Sequence, residues 1–172
     1  VITCELERLH SHFLWLGLAA HIIGFDSLFM MCFEKREKIM DMLETLSGNR
    51  VNYAMNIIGG ARRDINDEIE KDLREKLSIL KEDFKAIFDI YANDKTVALR
   101  TKGVGVLTNE DAFIYGACGP HGRASGMKDD VRKVDPYCSY DDFDFKAIVQ
   151  AEGDVFSRAV VRLLEIEEDR KS

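Results

Sequence analysis

The stretch from Glu5 to Phe25 constrains the fold most strongly, because it is apolar on nearly every side of a helix. From Phe13 to Phe25 its only strongly polar side chain is His21. Apolar residues recur at spacings of three and four, and other faces are apolar too. Such a helix is either a membrane span or the centre of a core, and this run is well short of the roughly 20 residues that a span needs. We therefore predict a central core helix that ends near Gly24.

Two more long helical patterns follow in the first half of the chain. Residues Leu28–Leu46 predict a second helix, with Asp26 or Ser27 placed to cap it. A short apolar stretch then closes at Gly59-Gly60, a pair that favours a turn. Residues Asp64–Ala92 predict a long third helix with one apolar stripe and a face rich in Glu and Lys. An antiparallel bundle is the natural packing for these three helices.

The composition changes after Asn93, and the predicted elements become short. In order, they are an extended segment at Lys95–Leu107, one or two helical turns at Asn109–Tyr115 capped by Thr108 or Asn109, an irregular loop at Gly116–Tyr140, a short strand at Phe143–Val149 and a closing helix at Asp154–Glu168. The predicted fold class is mainly α: an antiparallel helical bundle with a few short β elements and a long Gly/Pro-containing loop. We expect a single helical domain over residues 1–172.

Charge and cysteine content exclude several classes of protein. The net charge of -7 argues against a general binder of nucleic acid or anionic membranes. Four cysteines (Cys4, Cys32, Cys118 and Cys138) lack CxxC spacing, so free thiols in a reducing cytosol are favoured over two disulfides, and a zinc site is disfavoured. The chain begins at Val1 without a signal-peptide pattern, and we expect a section of a longer protein.

The loop Gly116–Tyr137 is the strongest candidate for chemistry. It contains four glycines and four basic side chains: Arg123, Lys128, Arg132 and Lys133. These residues are able to bind an anion. In the alternative interpretation, Arg123 and Arg132 pair with a carboxylate of the same loop, Asp129, Asp130 or Asp135, and hold the loop closed.

Three histidines lie on the first predicted helix: His10, His12 and His21. They lack HxxxH or HExxH spacing, so hydrogen-bonded core positions are favoured over a metal site. No Ser-His-Asp or Cys-His order can be assigned. The residues alone do not identify an enzyme.

Several blocks resemble one family in order and spacing. They include ELERLHSHFLWLG, GNRVNYAMNIIGGARRDI, RASGMKDDVRKVDPY and EGDVFSRAVVRLLE. The chain resembles the large subunit shared by respiratory complex I, an NADH:quinone oxidoreductase, and the energy-converting nickel–iron hydrogenases. The blocks span nearly the whole chain, and the RASG, DVRK and GDVFSR combination is specific.

The resemblance implies an internal section of a longer large subunit. Such a subunit packs between an iron–sulfur small subunit and membrane subunits, and it is peripheral to the cytoplasmic face of the cell membrane. Hydrogenase members bind nickel and iron through two cysteine pairs near the ends of the full subunit, whereas complex I members use the same cavity for quinone. Neither pair lies in this sequence, so we expect no cofactor within this segment and no turnover by it alone. We also expect no nucleic-acid partner. Self-association of the segment is possible through apolar surface that the missing parts would cover.

Two positions depart from the complex I pattern. The resemblance aligns Ile22 with a cavity carboxylate and Asn52 with a histidine near the terminal iron–sulfur cluster. Neither side chain here titrates near neutral pH. We therefore expect a relative closer to the hydrogenase branch, or an archaeal-type variant, with complex I proper as the alternative.

The resemblance and the loop together give the predicted site residues. Four are expected to line the buried centre of the parent protein: Leu18, His21, Ile22 and Asn52. Three are expected to brace the loop beside it: Arg123, Asp130 and Arg132. A helical scaffold that only holds partners, and an independent anion-binding enzyme built on the loop, are the other functional classes.

Overall fold

The structure is a computed structural model in which residues 1–169 are described, and it is mainly α-helical, as the sequence predicts. Two compact units divide the chain, Val1–Ile87 and Phe88–Ser172. We describe each unit by itself. The single-domain organisation stays a prediction. None of the described helices is both long enough and apolar enough to cross a membrane.

The first unit contains a helical hairpin, a two-stranded hairpin and most of a third helix. Its elements are α1 (Ile2–Ile22), α2 (Asp26–Ser47), β1 (Asn56–Ile57), β2 (Gly60–Ala61) and α3 (Asp67–Asn93), the last of which continues into the second unit. The strands pair antiparallel, with Ile57 opposite Gly60. All three predicted helices are therefore confirmed, as is the turn at Gly59-Gly60.

The close approach of α1 and α2 depends on Gly17. A Cβ atom at this position would lie 2.8 Å from the ring of Phe33 and 3.2 Å from the Cβ of Cys32. Only glycine therefore lets the two backbones come this close. Phe13, Leu16 and Cys32 are fully buried along the same contact.

One side of α1 faces solvent, so the prediction of a helix buried on every side is wrong. Leu18 is 44% exposed and Ile22 is 81% exposed, while Leu9 and Phe13 on the opposite side are buried. The pattern of apolar residues could not predict this exposure, because an exposed leucine or isoleucine looks the same in sequence as a buried one.

The third helix returns along the hairpin. The rings of Phe13 and Phe84 meet edge to face with centroids 5.8 Å apart, and Lys38 Nζ donates to Asp83 Oδ2 at 2.6 Å. Before α3 begins, Arg62 donates to the carbonyl of Ser47 at the end of α2. Later residues of α3 thus contact earlier parts of α2, which makes the two helices antiparallel, as the bundle prediction requires.

Capping of α2 differs from the prediction. The N-cap residue is Phe25, and no side chain caps the helix. Asp26 lies in the first turn, where its negative charge interacts favourably with the helix dipole.

The second unit is built from short helices and one long one. After the end of α3 come α4 (Lys95–Thr101), α5 (Asn109–Ile114), α6 (Gly119–Ala124), α7 (Val131–Val134), a 3₁₀ turn (Tyr140–Asp142) and α8 (Val155–Asp169). The closing helix is confirmed. So is α5, whose N-cap Thr108 accepts from the backbone N–H of Asp111 as predicted.

Three predictions for this unit are wrong. Residues 95–101 form a helix instead of an extended segment, because Asp94 accepts hydrogen bonds from the backbone N–H groups of Thr96 (2.7 Å) and Val97 (3.1 Å) and so starts α4. Within residues 116–140, α6 and α7 interrupt the expected irregular loop. Residues 143–149 form no strand.

Candidate functional site

A buried ion pair joins α6 to α8. Arg123, on α6, donates from Nε (2.9 Å) and Nη2 (2.6 Å) to Glu165 Oε1 on α8. Its Nη1 donates to the carbonyl of Asp129 at 3.2 Å and lies 3.6 Å from Asp130 Oδ2. Both Arg123 and Glu165 are almost completely buried. The guanidinium of Arg123 therefore links α6 to α8.

A second buried pair continues the network into α7. Asp130 caps α7 by accepting from the backbone N–H of Arg132 at 3.2 Å, and Arg132 returns two side-chain bonds, from Nε (3.0 Å) and Nη2 (2.9 Å). Burial by itself raises the pKa of Asp130, but the hydrogen bonds from Arg132 and the charges of Arg132 and Arg123 outweigh it and lower that pKa. The Arg132 guanidinium also lies 4.4 Å from the ring centroid of Phe145.

Backbone hydrogen bonds fix the other side of α6. The carbonyls of Arg123 and Ala124 each accept at 2.9 Å, from Gln150 and Gly153 respectively. Gly153 has φ +66°, and a Cβ there would lie 2.1 Å from the carbonyl oxygen of Leu107. Glycine is therefore required at this point both by the backbone angle and by the space available.

The start of α8 is capped by a buried carboxylate. Asp154 Oδ1 accepts from the backbone N–H and the hydroxyl of Ser157, both at 2.7 Å, and its Oδ2 accepts from the N–H of Gly103 at 2.8 Å. Burial raises the pKa of Asp154, but these hydrogen bonds and the charge of Arg158 lower it overall. Asp154 thus ties α8 to the turn after α4.

The three predicted loop residues, Arg123, Asp130 and Arg132, are brought together by the fold. Arg123 is turned inward, so its geometry is that of an ion pair and not of an open anion site. Sequence reasoning missed Glu165, which supplies the main acceptor. The available signal was an acidic residue among buried apolar neighbours of α8 such as Val161 and Ile166. The bracing role of the three loop residues stays a prediction.

The residues predicted on α1 share one exposed face. Leu18, His21 and Ile22 are spaced by three and four residues, and each is exposed. His21 Nδ1 lies 2.8 Å from Asp26 Oδ1, and its ring contacts that of Phe29 in a tilted arrangement with centroids 5.3 Å apart. The carboxylate of Asp26 therefore lies beside His21, the residue before Ile22, although position 22 itself carries no carboxylate.

The fold does not bring Asn52 to the same place. Asn52 is exposed, and the next residue, Tyr53, is close enough to Glu7 for that carboxylate to raise its pKa, in addition to the larger effect of burial. Glu7 and Ile22 are 15 residues apart on α1, or about 22 Å at 1.5 Å per residue. Asn52 is thus near the opposite end of the helical hairpin.

Comparison with known proteins decides the family. The family model described as "Respiratory-chain NADH dehydrogenase, 49 Kd subunit" matches residues 23–171. The chain belongs to this family. The resemblance stated from the sequence is therefore confirmed.

Relatives of this chain include subunits of a hydrogenase and of an NADH-quinone oxidoreductase. It is 39% identical to the membrane-bound hydrogenase subunit alpha of Pyrococcus furiosus, over 96% of this chain and 40% of that protein. It is 38% identical to an NADH-quinone oxidoreductase subunit of Desulfotalea psychrophila, over 97% of this chain and 45% of that protein. Both relatives are named as components of larger enzymes.

A solved structure has the same fold. A chain from the membrane-bound sulfane sulfur reductase, an archaeal respiratory membrane complex, superposes with a TM-score of 0.90 at 32% identity. The match covers 98% of this chain and 45% of that chain. The chain thus spans less than half the length of the proteins that it matches here.

The four cysteines of this chain are free thiols. Within residues 1–169, no three His, Cys, Asp or Glu side chains come together in a metal-binding group. Cys32 is buried in the hairpin, and burial raises its pKa to about 12, so it remains a thiol. Cys118 and Cys138 are free and exposed, and Cys4 is free and half-buried.

Proposed function

We propose that this chain is a section of the large subunit of a membrane-associated electron-transfer complex. In this proposal the complex passes electrons from an iron–sulfur partner subunit to protons or to quinone, and the section has no turnover by itself. The family match over residues 23–171 carries the proposal, because it covers most of the chain. The membrane association is indirect, through partner subunits on the cytoplasmic face.

Exposed apolar surface supports a role as one part of a larger assembly. In the first unit, Ile22 and Met30 are largely exposed. In the second, the consecutive residues Phe113, Ile114 and Tyr115 at the end of α5 are 78%, 65% and 78% exposed. Contiguous apolar side chains of this size are typical of surfaces that other protein covers.

The chemistry at α1 bears on the electron acceptor. Neither Ile22 on α1 nor Asn52, which lies near the opposite end of the hairpin, titrates near neutral pH, and this favours proton reduction at a metal centre in another part of the subunit. The His21–Asp26 pair supplies titratable groups one residue from Ile22. Quinone reduction therefore remains the alternative acceptor reaction, and Leu18, His21 and Ile22 are the residues that we propose to border the centre.

The test is isolation of the native complex through an affinity tag on this chain. We expect iron–sulfur and membrane subunits to copurify, with an iron–sulfur signal in the electron paramagnetic resonance spectrum and either hydrogen evolution or quinone reduction. The purified 172-residue chain alone should show neither activity. Recovery of the chain without redox partners would contradict the proposal.

Two substitutions separate the acceptors. Ile22→Asp and Ile22→Leu in the isolated complex differ in whether a proton-carrying group is present at an exposed position, so neither should disturb the fold. A hydrogen-evolving complex should keep its full activity with Ile22→Leu. In a quinone-reducing complex, Ile22→Asp should raise the activity or change its dependence on pH. A complex with partners but no activity of either kind would favour the helical scaffold.

A further inference from the structure

A pocket of about 310 Å³ lies in the second unit, where the turn after α4 meets the start of α8. Its apolar wall contains Phe156 and Val160, which are one turn apart on the same face of α8. Lys102, the C-cap residue of α4, lines the pocket together with Gln150 and Glu152 from the segment before α8. The volume is at the lower end of the range of small-molecule pockets, about 300–1,000 Å³.

The ammonium group of Lys102 is available to a ligand in this pocket. Lys102 is exposed, and its Nζ lies 4.6 Å from the ring centroid of Phe156. Among the described residues, no carboxylate forms an ion pair with it. The contact with the aromatic ring keeps the charge beside the apolar wall without neutralising it. An ammonium in this position is able to bind a carboxylate through a charge-assisted hydrogen bond.

The carboxylate of Glu152 is only partly used by the chain. Glu152 is exposed, and its Oε2 accepts from the N–H of Ala151 and the hydroxyl of Ser157, both at 3.3 Å, which is long for a hydrogen bond. No cation of the described residues forms an ion pair with Glu152. Lys102 and Glu152 therefore line one pocket with opposite charges but do not neutralise each other.

A second carboxylate of the pocket is already satisfied by the chain. Asp154 Oδ1 accepts two bonds from Ser157, and its Oδ2 accepts one from the N–H of Gly103. The side chain of Gln150 is neutral and is able both to donate and to accept hydrogen bonds. Lys102 and Glu152 are thus the two charged groups of the pocket that remain open to a ligand.

We propose that this pocket binds a small zwitterion with an apolar side chain, namely a free α-amino acid such as leucine. Lys102 binds its carboxylate, Glu152 binds its ammonium, and its side chain lies against Phe156 and Val160. A simple anion would meet the unpaired charge of Glu152, and a simple cation would meet that of Lys102. The ligand therefore carries both charges. This site goes beyond the proposed electron-transfer function and does not depend on it, because binding requires no turnover.

The test is titration of the isotopically labelled chain with L-leucine, observed at the backbone amides of residues 102 and 150–160. We expect saturable shifts that are confined to these positions. Leucinamide lacks the carboxylate and N-acetyl-leucine lacks the ammonium, so each should bind at least about tenfold more weakly than leucine, the loss expected for one charge-assisted hydrogen bond. Equal binding of the three compounds would show an apolar cleft only and would overturn the proposal.

Substitution of the two exposed charged residues assigns each charge of the ligand. Lys102→Gln should weaken the binding of leucine about tenfold and leave that of leucinamide unchanged, because leucinamide has no carboxylate to lose. Glu152→Gln should weaken leucine in the same way and leave N-acetyl-leucine unchanged. Lys102→Arg keeps the cation and should bind leucine as the wild-type chain does.

The matched control is Lys95→Gln, which removes one exposed charge at the start of α4 and should bind leucine normally. Absence of saturation in the wild-type chain would overturn the proposal. So would an affinity for leucine that is the same in Lys102→Gln as in the wild-type chain.

Discussion

Removal of the Arg123 side chain is the most informative perturbation of the loop. Arg123→Ala deletes two hydrogen bonds to Glu165 Oε1, one to the carbonyl of Asp129, and the 3.6 Å ion pair with Asp130. Glu165 is 2% exposed, so its carboxylate stays buried after losing the two hydrogen bonds from Arg123. Breaking a buried pair in this way costs about 3–5 kcal/mol.

The matched control is an exposed pair of similar geometry. Arg74 Nε lies 2.8 Å from Glu70 Oε1 on α3, with side chains 77% and 54% exposed. Arg74→Ala should cost at most about 0.5 kcal/mol, because water and salt screen an exposed pair. The contrast between the two variants therefore measures burial and not hydrogen-bond length.

Urea unfolding gives the change in the free energy of unfolding, and amide hydrogen exchange locates it. In Arg123→Ala we expect faster exchange over residues 119–134, with little change over α1 and α2. Arg132→Ala should accelerate exchange around α7 for the same reason, since Asp130 loses two donors. Equal stability losses in Arg123→Ala and Arg74→Ala, or unchanged exchange in the loop, would refute the bracing role.

Three further predictions test other parts of the chain. Gly153→Ala should lower the free energy of unfolding in urea by more than about 3 kcal/mol, because it adds a steric clash to a left-handed backbone. Gly59→Ala is the control. Gly59 has φ +95° and nothing within 4 Å, so this change should cost only about 1 kcal/mol. Burial raises the pKa of the Cys32 thiol to about 12, so Cys32 should react with Ellman's reagent only after unfolding. The exposed Cys118 should react in the folded chain. Equal reaction rates for the two thiols would contradict the burial of Cys32. Burial and the charge of Arg36 lower the pKa of His10 in the folded state, although Glu37 opposes them. The stability that neutral His10 contributes is therefore present above pH about 6.5 and is lost as the pH falls toward the folded pKa. His10→Gln should flatten that part of the curve of unfolding free energy against pH.

Long periodic patterns were sufficient to predict the helices of the first unit. The bounds of α1 and α2 differ from the prediction by three residues or fewer, because each helix spans many turns of regular apolar spacing. Exposure was not predictable. Leu18 and Ile22 are apolar residues on the outward face of α1, and the sequence contains no information about what covers them.

Short elements depend on tertiary contacts that sequence patterns do not contain. The six residues of α6 and the four of α7 are too few for periodicity to indicate a helix. Buried side chains make contacts at both helices: Arg123 bonds to Glu165, and Arg132 bonds to Asp130. The pairing of Arg132 with Asp130 was foreseen as one alternative, because both residues lie in one loop. Glu165 is 42 residues away from Arg123, and no spacing rule connects them.

The glycine contact between α1 and α2 separates structural from chemical requirements along the first helix. Gly17 seats the ring of Phe33 and thereby sets the rotation of α1 about its axis. With that rotation fixed, the outward positions contribute little to the stability of the hairpin. Outward residues of α1 such as Leu18 and Ile22 can therefore be exchanged while the packing of the hairpin is retained.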